Sequence, residues 1–382
     1  MNLIHSCCAG LDVHKKTVVA CARRFGSDGQ EHSQVRTFRT MTANLLELAD
    51  WLESEGVTHV AMESTGVYWK PVFHLLEDRF QVMLVNAQHI KQVEGRKTDV
   101  KDAEWIAQLL QCGLLRPSFL PPPPIRELRD LTRHRAQLTR ERAGVVNRVQ
   151  KVLEDANIKL ASVATDVLGA SGRAMLAALI AGQTDPATLA GLARGTLRNK
   201  GAELTMALHG RVTDHHRFVL GTLLRQIEQL EGLIAEYAAR IETMMAPFAA
   251  AAERLQAIPG VGQKAAEVLV AEIGTDMAKF PTAGHLASWA GMCPGNNESG
   301  GKRRSGKTTK GSQWLRAVLV QVAWAASHTK ETIFSTTYRK RVKRMGKKKA
   351  LVALGHKILV VIYHLLKDQT HYQERWKPAP AA

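Results

Sequence analysis

The chain has few cysteines and no long apolar run in its sequence. Its five cysteines form no CxxC pair and have no histidine at zinc-ligand spacing. Neither a structural zinc site nor a disulfide framework is therefore indicated, and a reducing cytoplasm fits this composition. The amino terminus lacks a basic segment followed by an apolar signal core, and no apolar run reaches about 18 residues. We expect a soluble, intracellular chain with no membrane partner.

Acidic residues are fewer than basic residues in this chain. The chain has 52 Lys and Arg residues against 35 Asp and Glu residues, a formal net charge of +17. Such an excess favours a polyanionic partner, although a surplus of surface lysine would give the same total. The length of 382 residues allows two or three domains, each with its own core.

Strand-like and helix-like segments alternate over residues 7 to 118. Three strands in succession, separated by short polar turns, precede strands that alternate with helices. This order predicts an α/β fold whose mixed sheet begins as an antiparallel meander, as in ribonuclease H-like sheets. The predicted strands are Cys7–Val13, Thr17–Arg23, Val35–Phe38, His59–Glu63 and Val82–Val85, and the predicted helices are Ala43–Glu53, Trp69–Phe80 and Asp99–Cys112.

Four acidic residues in this region are candidates for a metal site. Asp12 lies within one apolar run and Glu63 ends another, and an unpaired carboxylate in a buried strand is costly. Asp99 and Asp102 are three residues apart in a helical stretch, so they share one face. The four carboxylates together favour a divalent cation, Mg²⁺ or Mn²⁺. The helix pair alone could instead cap the helix and complement its dipole, but this leaves the strand acids unexplained.

Four consecutive prolines, residues 121 to 124, interrupt the alternating pattern. We interpret them as an extended, semi-rigid spacer that marks a domain boundary. The predicted organisation is a first domain at 1–118, a proline linker at 119–124, a helical and coiled-coil region at 125–250 with an insertion at 161–210, a mainly helical third domain at 251–370 and a tail at 371–382.

Two long helices are predicted after the prolines. The first carries a dense set of cations, namely Arg126, Arg129, Arg133, Arg135, Arg140, Arg142, Arg148 and Lys151. The second carries a heptad seam, namely Leu220, Leu223, Ile227, Leu230, Ile234, Tyr237, Ile241 and Met244. Two interpretations stay open, an antiparallel hairpin within one chain or self-association through the seam. The segment between the two helices predicts small helices, with no chemistry assigned.

The segment Ile258-Pro259-Gly260-Val261-Gly262 precedes a helix and predicts a helix-hairpin-helix element. In such an element the glycine turn and the following helix N-terminus reach a nucleic-acid phosphate. A plain connection between two helices is the alternative.

A glycine-rich basic loop covers residues 291 to 311. Its cations can hold a phosphate backbone, and its glycines allow close approach. Ser299 would offer an accessible hydroxyl nucleophile, although serine in such a loop is commonly a turn residue. A basic run at residues 339–349 predicts further phosphate contacts. The residues expected to contact nucleic acid are Arg96, Lys97, Arg129, Arg133, Arg140, Gly260, Gly262, Lys264, Lys302, Arg303, Arg304, Lys307 and Lys310.

These motifs together resemble the DEDD transposases of bacterial insertion sequences, which combine a RuvC-like domain with a serine-bearing transposase domain. The resemblance is carried by Gly10-Leu11-Asp12-Val13-His14-Lys15, Met62-Glu63-Ser64-Thr65-Gly66-Val67-Tyr68, Lys97-Thr98-Asp99-Val100-Lys101-Asp102-Ala103, and the residues from Ala290 to Gly301. It implies that Asp12, Glu63, Asp99 and Asp102 bind magnesium or manganese. It also implies that Ser299 attacks a DNA phosphate to form a phosphoserine. Ser305 is the nearest competing hydroxyl.

The same resemblance implies particular partners. Members act on donor and target DNA in the bacterial cytoplasm, at the nucleoid, and assemble as homo-oligomers, dimers or tetramers. They also bind an element-encoded guide, or bridge, RNA, for which the arginine-rich helix is the candidate contact. Two other functions remain open from the residues: a metal-dependent junction nuclease that uses water as its nucleophile, and a non-catalytic nucleic-acid-binding protein.

Overall fold

The computed structural model describes residues 4–26, 30–64, 66–87, 90, 102–295, 297–300, 302–305 and 307–374, with the backbone alone at 297–299 and 302–305. The chain divides into two compact units, Met1–Leu120 and Pro121–Ala382. Each unit has its own core, so each is described by itself.

The first unit contains a five-stranded mixed sheet. Its strands are β1 (Cys7–Val13), β2 (Thr17–Phe25), β3 (Glu31–Arg39), β4 (His59–Glu63) and β5 (Gln81–Val85), in the spatial order β3-β2-β1-β4-β5. The first three strands pair antiparallel, whereas β1 with β4 and β4 with β5 pair parallel. The predicted α/β sheet with an antiparallel meander is therefore confirmed, and β1 and β4 have the predicted bounds.

Helices cover both faces of this sheet, and they are α1 (Thr42–Ser54), α2 (Trp69–Leu76) and α3 (Asp102–Gln111). Alternate residues of β1 point to opposite faces. Leu11 therefore joins the core beneath α1 and α2, while Cys8 joins the core beneath α3. The predicted extension of α2 to Phe80 was wrong, because the chain turns after Leu76 so that Phe80 packs into the core before β5.

The second unit is mainly helical. Its helices are α4 (Pro123–Asp155), α5 (Leu160–Val163), α6 (Ala170–Ile180), α7 (Pro186–Ala190), α8 (Gly201–Ala207), α9 (Asp214–Met245), α10 (Ala249–Gln256), α11 (Gln263–Ile273), α12 (Ala283–Trp289), α13 (Gln313–His328), α14 (Ile333–Met345) and α15 (Lys347–Lys367). Short 3₁₀ turns lie at Gly195–Lys200, Ala246–Phe248 and Met277–Lys279, and two short strands, β6 (Asn297–Ser299) and β7 (Lys302–Ser305), form a separate ribbon.

The proline run is not wholly an extended spacer, which corrects the prediction. Helix α4 begins at Pro123, so Pro123 and Pro124 lie in its first turn, whereas Pro122 at the N-cap is extended, with ψ 161°. The first turn of a helix tolerates proline because its N–H groups have no partner within the helix and its φ already suits the ring.

The two long helices pack against each other in opposite directions. Asp155 pairs with His216 at 2.9 Å, and Arg142 pairs with Glu231 at 2.7 Å, so residue numbers rise along α4 as they fall along α9. The structure thus shows the antiparallel pair. The seam residues Leu220, Ile227, Leu230 and Ile241 are buried within their own chain. Self-association through the seam stays a prediction. These four seam residues already pack inside their own chain.

Residues 161–210 belong to the same core as the long helices. Met175 and Leu204 from this segment pack in one cluster with Val149 of α4 and Leu220 of α9. The segment is therefore an integral part of the second unit, and its interpretation as an insertion stays a prediction. Helix α15 is long and apolar enough to span a membrane by length and composition alone; half of its apolar window is buried inside the protein, as in a core helix.

Candidate active site

Gly10, in the middle of β1, allows α3 to rest directly on the sheet. A Cβ atom at this position would lie 2.3 Å from the carbonyl oxygen of Ala103 and 2.3 Å from the amide nitrogen of Ala107, both backbone atoms of α3. No side chain fits in this space. The sequence-based predictions give Gly10 no role, although a glycine inside a buried apolar strand is the signal of such a close approach.

This contact brings Asp102, the first residue of α3, towards two strand carboxylates. Asp12 lies two residues beyond Gly10, and Glu63 is the last residue of β4. Because β1 and β4 are parallel neighbours, both carboxylates lie at the same edge of the sheet. Burial raises the pKa of Asp12, and the negative charges of Asp102 and Glu63 raise it further. The structure thus places two of the predicted acids within electrostatic range of Asp12.

His14 contacts this acidic cluster directly. Its Nε2 atom lies 3.1 Å from Oδ2 of Asp12, and its side chain is 62% exposed. The imidazole lowers the pKa of Asp12, against the larger effect of burial. The sequence-based predictions leave His14 without a role. Its spacing is the signal that could have identified it, since residues two apart in an extended chain lie on the same side.

The donor chemistry of the cluster fits a hard divalent cation. Mg²⁺ and Mn²⁺ prefer carboxylate oxygens, and mutual repulsion among carboxylates is relieved when a cation binds between them. Among the residues that the structure describes, no three His, Cys, Asp or Glu side chains converge closely enough to form a ready metal site. Asp99 lies outside the described residues. The complete tetrad therefore stays a prediction.

Ser299 lies in a short antiparallel ribbon rather than in an irregular loop. Strands β6 and β7 pair Ser299 with Lys302, and Gly300 lies between them with a φ of 57°. The segment predicted as a glycine-rich loop therefore has strand pairing at its centre. We call residues 291–311 the serine hairpin.

Two glycines close the base of the serine hairpin. A Cβ atom at Gly311 would lie 2.3 Å from the amide nitrogen of Gly291, which itself has a φ of 67°. Further along, the amide of Gly295 donates to the carbonyl of Lys307 at 2.8 Å. The two stems therefore run side by side, and the base accepts no larger residue at Gly311.

Arg129 has a structural role, and its assignment to the nucleic-acid interface stays a prediction. Its Nε and Nη2 atoms donate to the carbonyl oxygens of Ala271 and Glu272 at 3.1 and 2.6 Å, at the C-terminal end of α11. Burial lowers the pKa of this guanidinium to about 10. Arg129 therefore satisfies carbonyl groups that the helix end leaves without partners.

The other two arginines predicted on this helix differ from each other. Arg133 donates two hydrogen bonds to the Glu272 carboxylate, at 2.7 and 2.9 Å, so its guanidinium is directed into the protein. Arg140 is exposed and lies over the ring of Trp314, 4.5 Å from its centroid. Stacking on an aromatic face holds a guanidinium in place while leaving its N–H edge free to meet a phosphate.

The segment predicted as a helix-hairpin-helix does connect two helices, α10 and α11. Gly260 has a φ of 88°, and a Cβ atom there would lie 2.7 Å from backbone atoms of Val322 and Ala326. Gly260 is therefore required for packing against α13, a reason other than the predicted phosphate contact. Gly262 precedes α11 and is exposed, as is Lys264. The phosphate role of these two residues stays a prediction.

The remaining predicted contacts divide into three groups. Lys307 and Lys310 are exposed, Lys302, Arg303 and Arg304 lie in β7, and Arg96 and Lys97 lie outside the described residues. The exposed lysines follow the strand pairing that holds Ser299, so the downstream stem of the serine hairpin carries surface cations.

Family models match both units of the chain. The transposase model DEDD_Tnp_IS110 matches residues 9–158, which include Asp12, Glu63 and Asp102. A second model, Transposase IS116/IS110/IS902 family, matches residues 252–339, which include the serine hairpin. The chain belongs to the IS110 family of DEDD transposases. The resemblance expected from the sequence motifs is thereby confirmed.

Curated relatives of this IS110-family chain agree with the family models. A probable family 20 transposase of Pseudomonas aeruginosa is 27% identical over 82% of this chain and 85% of its own length. A pilin gene-inverting protein of Moraxella bovis is 24% identical over 96% of this chain and 97% of its own length. An insertion element IS110 protein of Streptomyces coelicolor is 34% identical over 32% of this chain and 30% of its own length. The Moraxella relative matches the chain almost from end to end, and the Pseudomonas relative matches about four fifths of it.

Proposed function

We propose that this transposase cuts and rejoins DNA through a covalent phosphoserine at Ser299, with a divalent cation, Mg²⁺ or Mn²⁺, held by Asp12, Glu63, Asp99 and Asp102. The comparisons support a less detailed statement, that the chain is an IS110-family enzyme of DNA transposition or recombination. The observation that supports the proposed cation site is the contact of Gly10 with α3, because the helix that begins at Asp102 rests on the strand that carries Asp12, and the charges of Asp102 and Glu63 raise the pKa of Asp12.

The chemistry follows from a serine oxygen and a phosphodiester. The Ser299 oxygen forms a bond to phosphorus while the bond from phosphorus to one deoxyribose oxygen breaks. The serine proton passes to a base or water, and the released deoxyribose oxygen takes up a proton from an acid or water. The phosphoserine keeps the energy of the broken bond, so a hydroxyl of another strand can reverse the step and rejoin DNA without an external energy source. A bound divalent cation would supply charge stabilisation to the phosphate in the transition state.

Support for this chemistry comes from the shape of the serine hairpin and from its charge. Ser299 lies next to the turn of a two-stranded ribbon, where the chain can enter a groove of DNA. Exposed Lys307 and Lys310 follow on the same ribbon and can neutralise phosphates beside the reacting one. The pilin gene-inverting relative, by its name, inverts a DNA segment, and a phosphoserine that is rejoined to a new strand accounts for such an exchange.

An RNA guide and an oligomeric assembly are part of the proposal. The +17 charge favours a polyanionic partner, and exposed Arg140 on α4 is a candidate contact for RNA. An element-encoded RNA paired with donor and target DNA would supply the sequence selection that phosphate contacts lack. Sequencing of RNA that co-purifies with the full chain tests this point: we expect one structured RNA from the flank of the reading frame, and a random pool would contradict it.

The decisive variants for the nucleophile are Ser299→Ala and its matched control Ser305→Ala, six residues further along the same ribbon. We expect Ser299→Ala to abolish the protein–DNA adduct and Ser305→Ala to leave it intact, with Asp12→Asn and Asp102→Asn lowering adduct formation at least about 100-fold. Gel electrophoresis of labelled DNA under denaturing conditions measures the adduct. Mg²⁺-dependent cleavage that survives Ser299→Ala without an adduct would instead indicate water as the nucleophile.

A further inference from the structure

A fully buried carboxylate, Glu272, lies between the long helix α4 and the base of the serine hairpin. Its side chain is 0% exposed. Its Oε1 and Oε2 atoms accept hydrogen bonds from Nε and Nη2 of Arg133, at 2.7 and 2.9 Å, and Oε2 accepts a third from the Ser312 hydroxyl at 2.9 Å. A buried carboxylate is stable only when it is paired and hydrogen-bonded, so this geometry is tightly specified.

Ser312 joins the buried carboxylate to the serine hairpin. It follows Gly311 directly, and its hydroxyl also accepts the amide of Leu315 at 3.2 Å as the N-cap of α13. The two stems of the hairpin are linked just above, where the amide of Thr309 donates to the carbonyl of Cys293 at 3.3 Å. A shift at Ser312 therefore moves both stems together, and with them the ribbon that carries the nucleophile.

Helix α4 holds this region at two places one turn apart. Arg129 binds carbonyl oxygens in the last turn of α11, and Arg133 binds the side chain of Glu272, which also belongs to α11. The guanidinium of Arg133 also lies 5.8 Å from the ring centroid of Trp314, two residues beyond Ser312. A continuous set of contacts thus runs from α4 through Glu272 to the hairpin base.

We propose that Glu272 is a positioning residue: it orients the serine hairpin through Ser312, and Arg133 couples that orientation to α4. The consequence of this coupling for catalysis rests on the proposed function, whereas the coupling between α4 and the serine hairpin does not depend on it. Nucleic acid bound at exposed Arg140, two turns further along α4, would then influence how Ser299 is presented.

Ser312→Asp separates this coupling from ordinary helix capping. Aspartate caps a helix as well as serine does, but it cannot donate to Glu272 and places a second carboxylate against it. Ser312→Thr keeps both the cap and the donor. Thr282→Asp, at the N-cap of α12, is the matched control, since Thr282 caps its helix in the same way but does not touch the buried carboxylate.

Hydrogen exchange in the full-length chain measures the coupling independently of activity. We expect Ser312→Asp to speed exchange of amides in residues 291–311 by about tenfold or more, the effect of losing one hydrogen bond to a charged group. Ser312→Thr and Thr282→Asp should exchange like the parent protein there. Glu272→Gln is the second variant, because it keeps the side-chain shape and removes the charge that holds Arg133.

Kinetics of adduct formation measure the consequence. Misplacement of a nucleophile by about 1 Å costs up to about 100-fold in rate, so we expect kcat to fall about 10- to 100-fold in Ser312→Asp while KM for DNA changes less than about twofold. Unchanged exchange in residues 291–311 in both Ser312→Asp and Glu272→Gln would overturn the proposal, as would a rise in KM at constant kcat. If Ser299→Ala still forms adducts, the proposed nucleophile is wrong, but the exchange measurement continues to decide the coupling.

Discussion

Gly10 of β1 lies so close to Ala103 of α3 that a Cβ atom on the glycine would be 2.3 Å from the Ala103 carbonyl oxygen. The contact places the first residue of α3, Asp102, within electrostatic range of Asp12. The geometry of the acidic cluster thus depends on a position that has no functional group of its own.

Gly10→Ala should separate α3 from the sheet. We expect the free energy of unfolding to fall by about 1–3 kcal/mol because the added methyl group meets backbone atoms that cannot move aside. Metal-dependent DNA cleavage should fall at least about 100-fold, since Asp102 moves away from Asp12. Chemical denaturation and a cleavage assay measure the two effects.

Gly144→Ala is the control for this glycine. Gly144 lies in α4, and a Cβ atom there would meet nothing within 4 Å beyond the backbone of its own helix, so alanine should stabilise the helix by about 0.5–1 kcal/mol. Cleavage should be unchanged. Equal losses of activity in Gly10→Ala and Gly144→Ala would show that the packing of α3 does not determine the site.

Local patterns predicted the sheet well, because alternating and continuous apolar runs are local signals. The bounds of β1 and β4 agree with the sequence pattern residue by residue. The role of Arg129 could not be predicted in this way, since its partner Glu272 lies 143 positions further along the chain. A dense row of arginines indicates nucleic-acid binding only for those arginines that are not paired inside the protein. The folded structure is needed to tell which arginines these are.

Arg140→Ala and Arg129→Ala should affect different properties, nucleic-acid binding in the first variant and stability in the second. Arg140→Ala removes an exposed cation, so we expect weaker nucleic-acid binding and a salt dependence reduced by about one unit of slope, with an unchanged melting temperature. Arg129→Ala leaves helix carbonyl groups buried without partners and should cost about 1–3 kcal/mol of stability. Binding titrations at several salt concentrations and thermal melts measure both. A melting temperature that drops only in Arg140→Ala would refute this division.

Cys8 should be unreactive in the folded chain. Burial raises the pKa of its thiol from 9.0 to about 12, and its Sγ atom lies 3.6 Å from the carbonyl oxygen of Ala107. The thiolate is the reactive species, so alkylation at about pH 8 should modify Cys8 only after unfolding. Because the folded thiol keeps its proton while the unfolded one loses it, its contribution to stability falls as pH rises from about 9 towards 12. Modification of Cys8 as fast as that of half-buried Cys112 would contradict the burial.

Glu231 should stabilise the second unit without serving catalysis. Its Oε1 atom accepts from Arg142 of α4 at 2.7 Å and from Arg173 of α6 at 2.6 Å, so it joins the segment at 161–210 to the long helices. All three side chains are about a third exposed. Solvent screening therefore limits the expected loss in Glu231→Gln to about 0.5–1 kcal/mol. Adduct formation at saturating DNA should equal that of the parent protein, and a large loss would indicate a functional role for this segment.

Mass spectrometry of the trapped protein–DNA adduct tests the central claim most directly. Full-length protein is incubated with Mg²⁺ and a DNA substrate that carries its donor site, then digested with protease and nuclease. The account predicts a nucleotide-modified peptide with the added mass on Ser299, absent without divalent cation and absent in Asp12→Asn. A modified peptide that maps to another residue, or DNA cleavage with no protein-linked nucleotide, would contradict it.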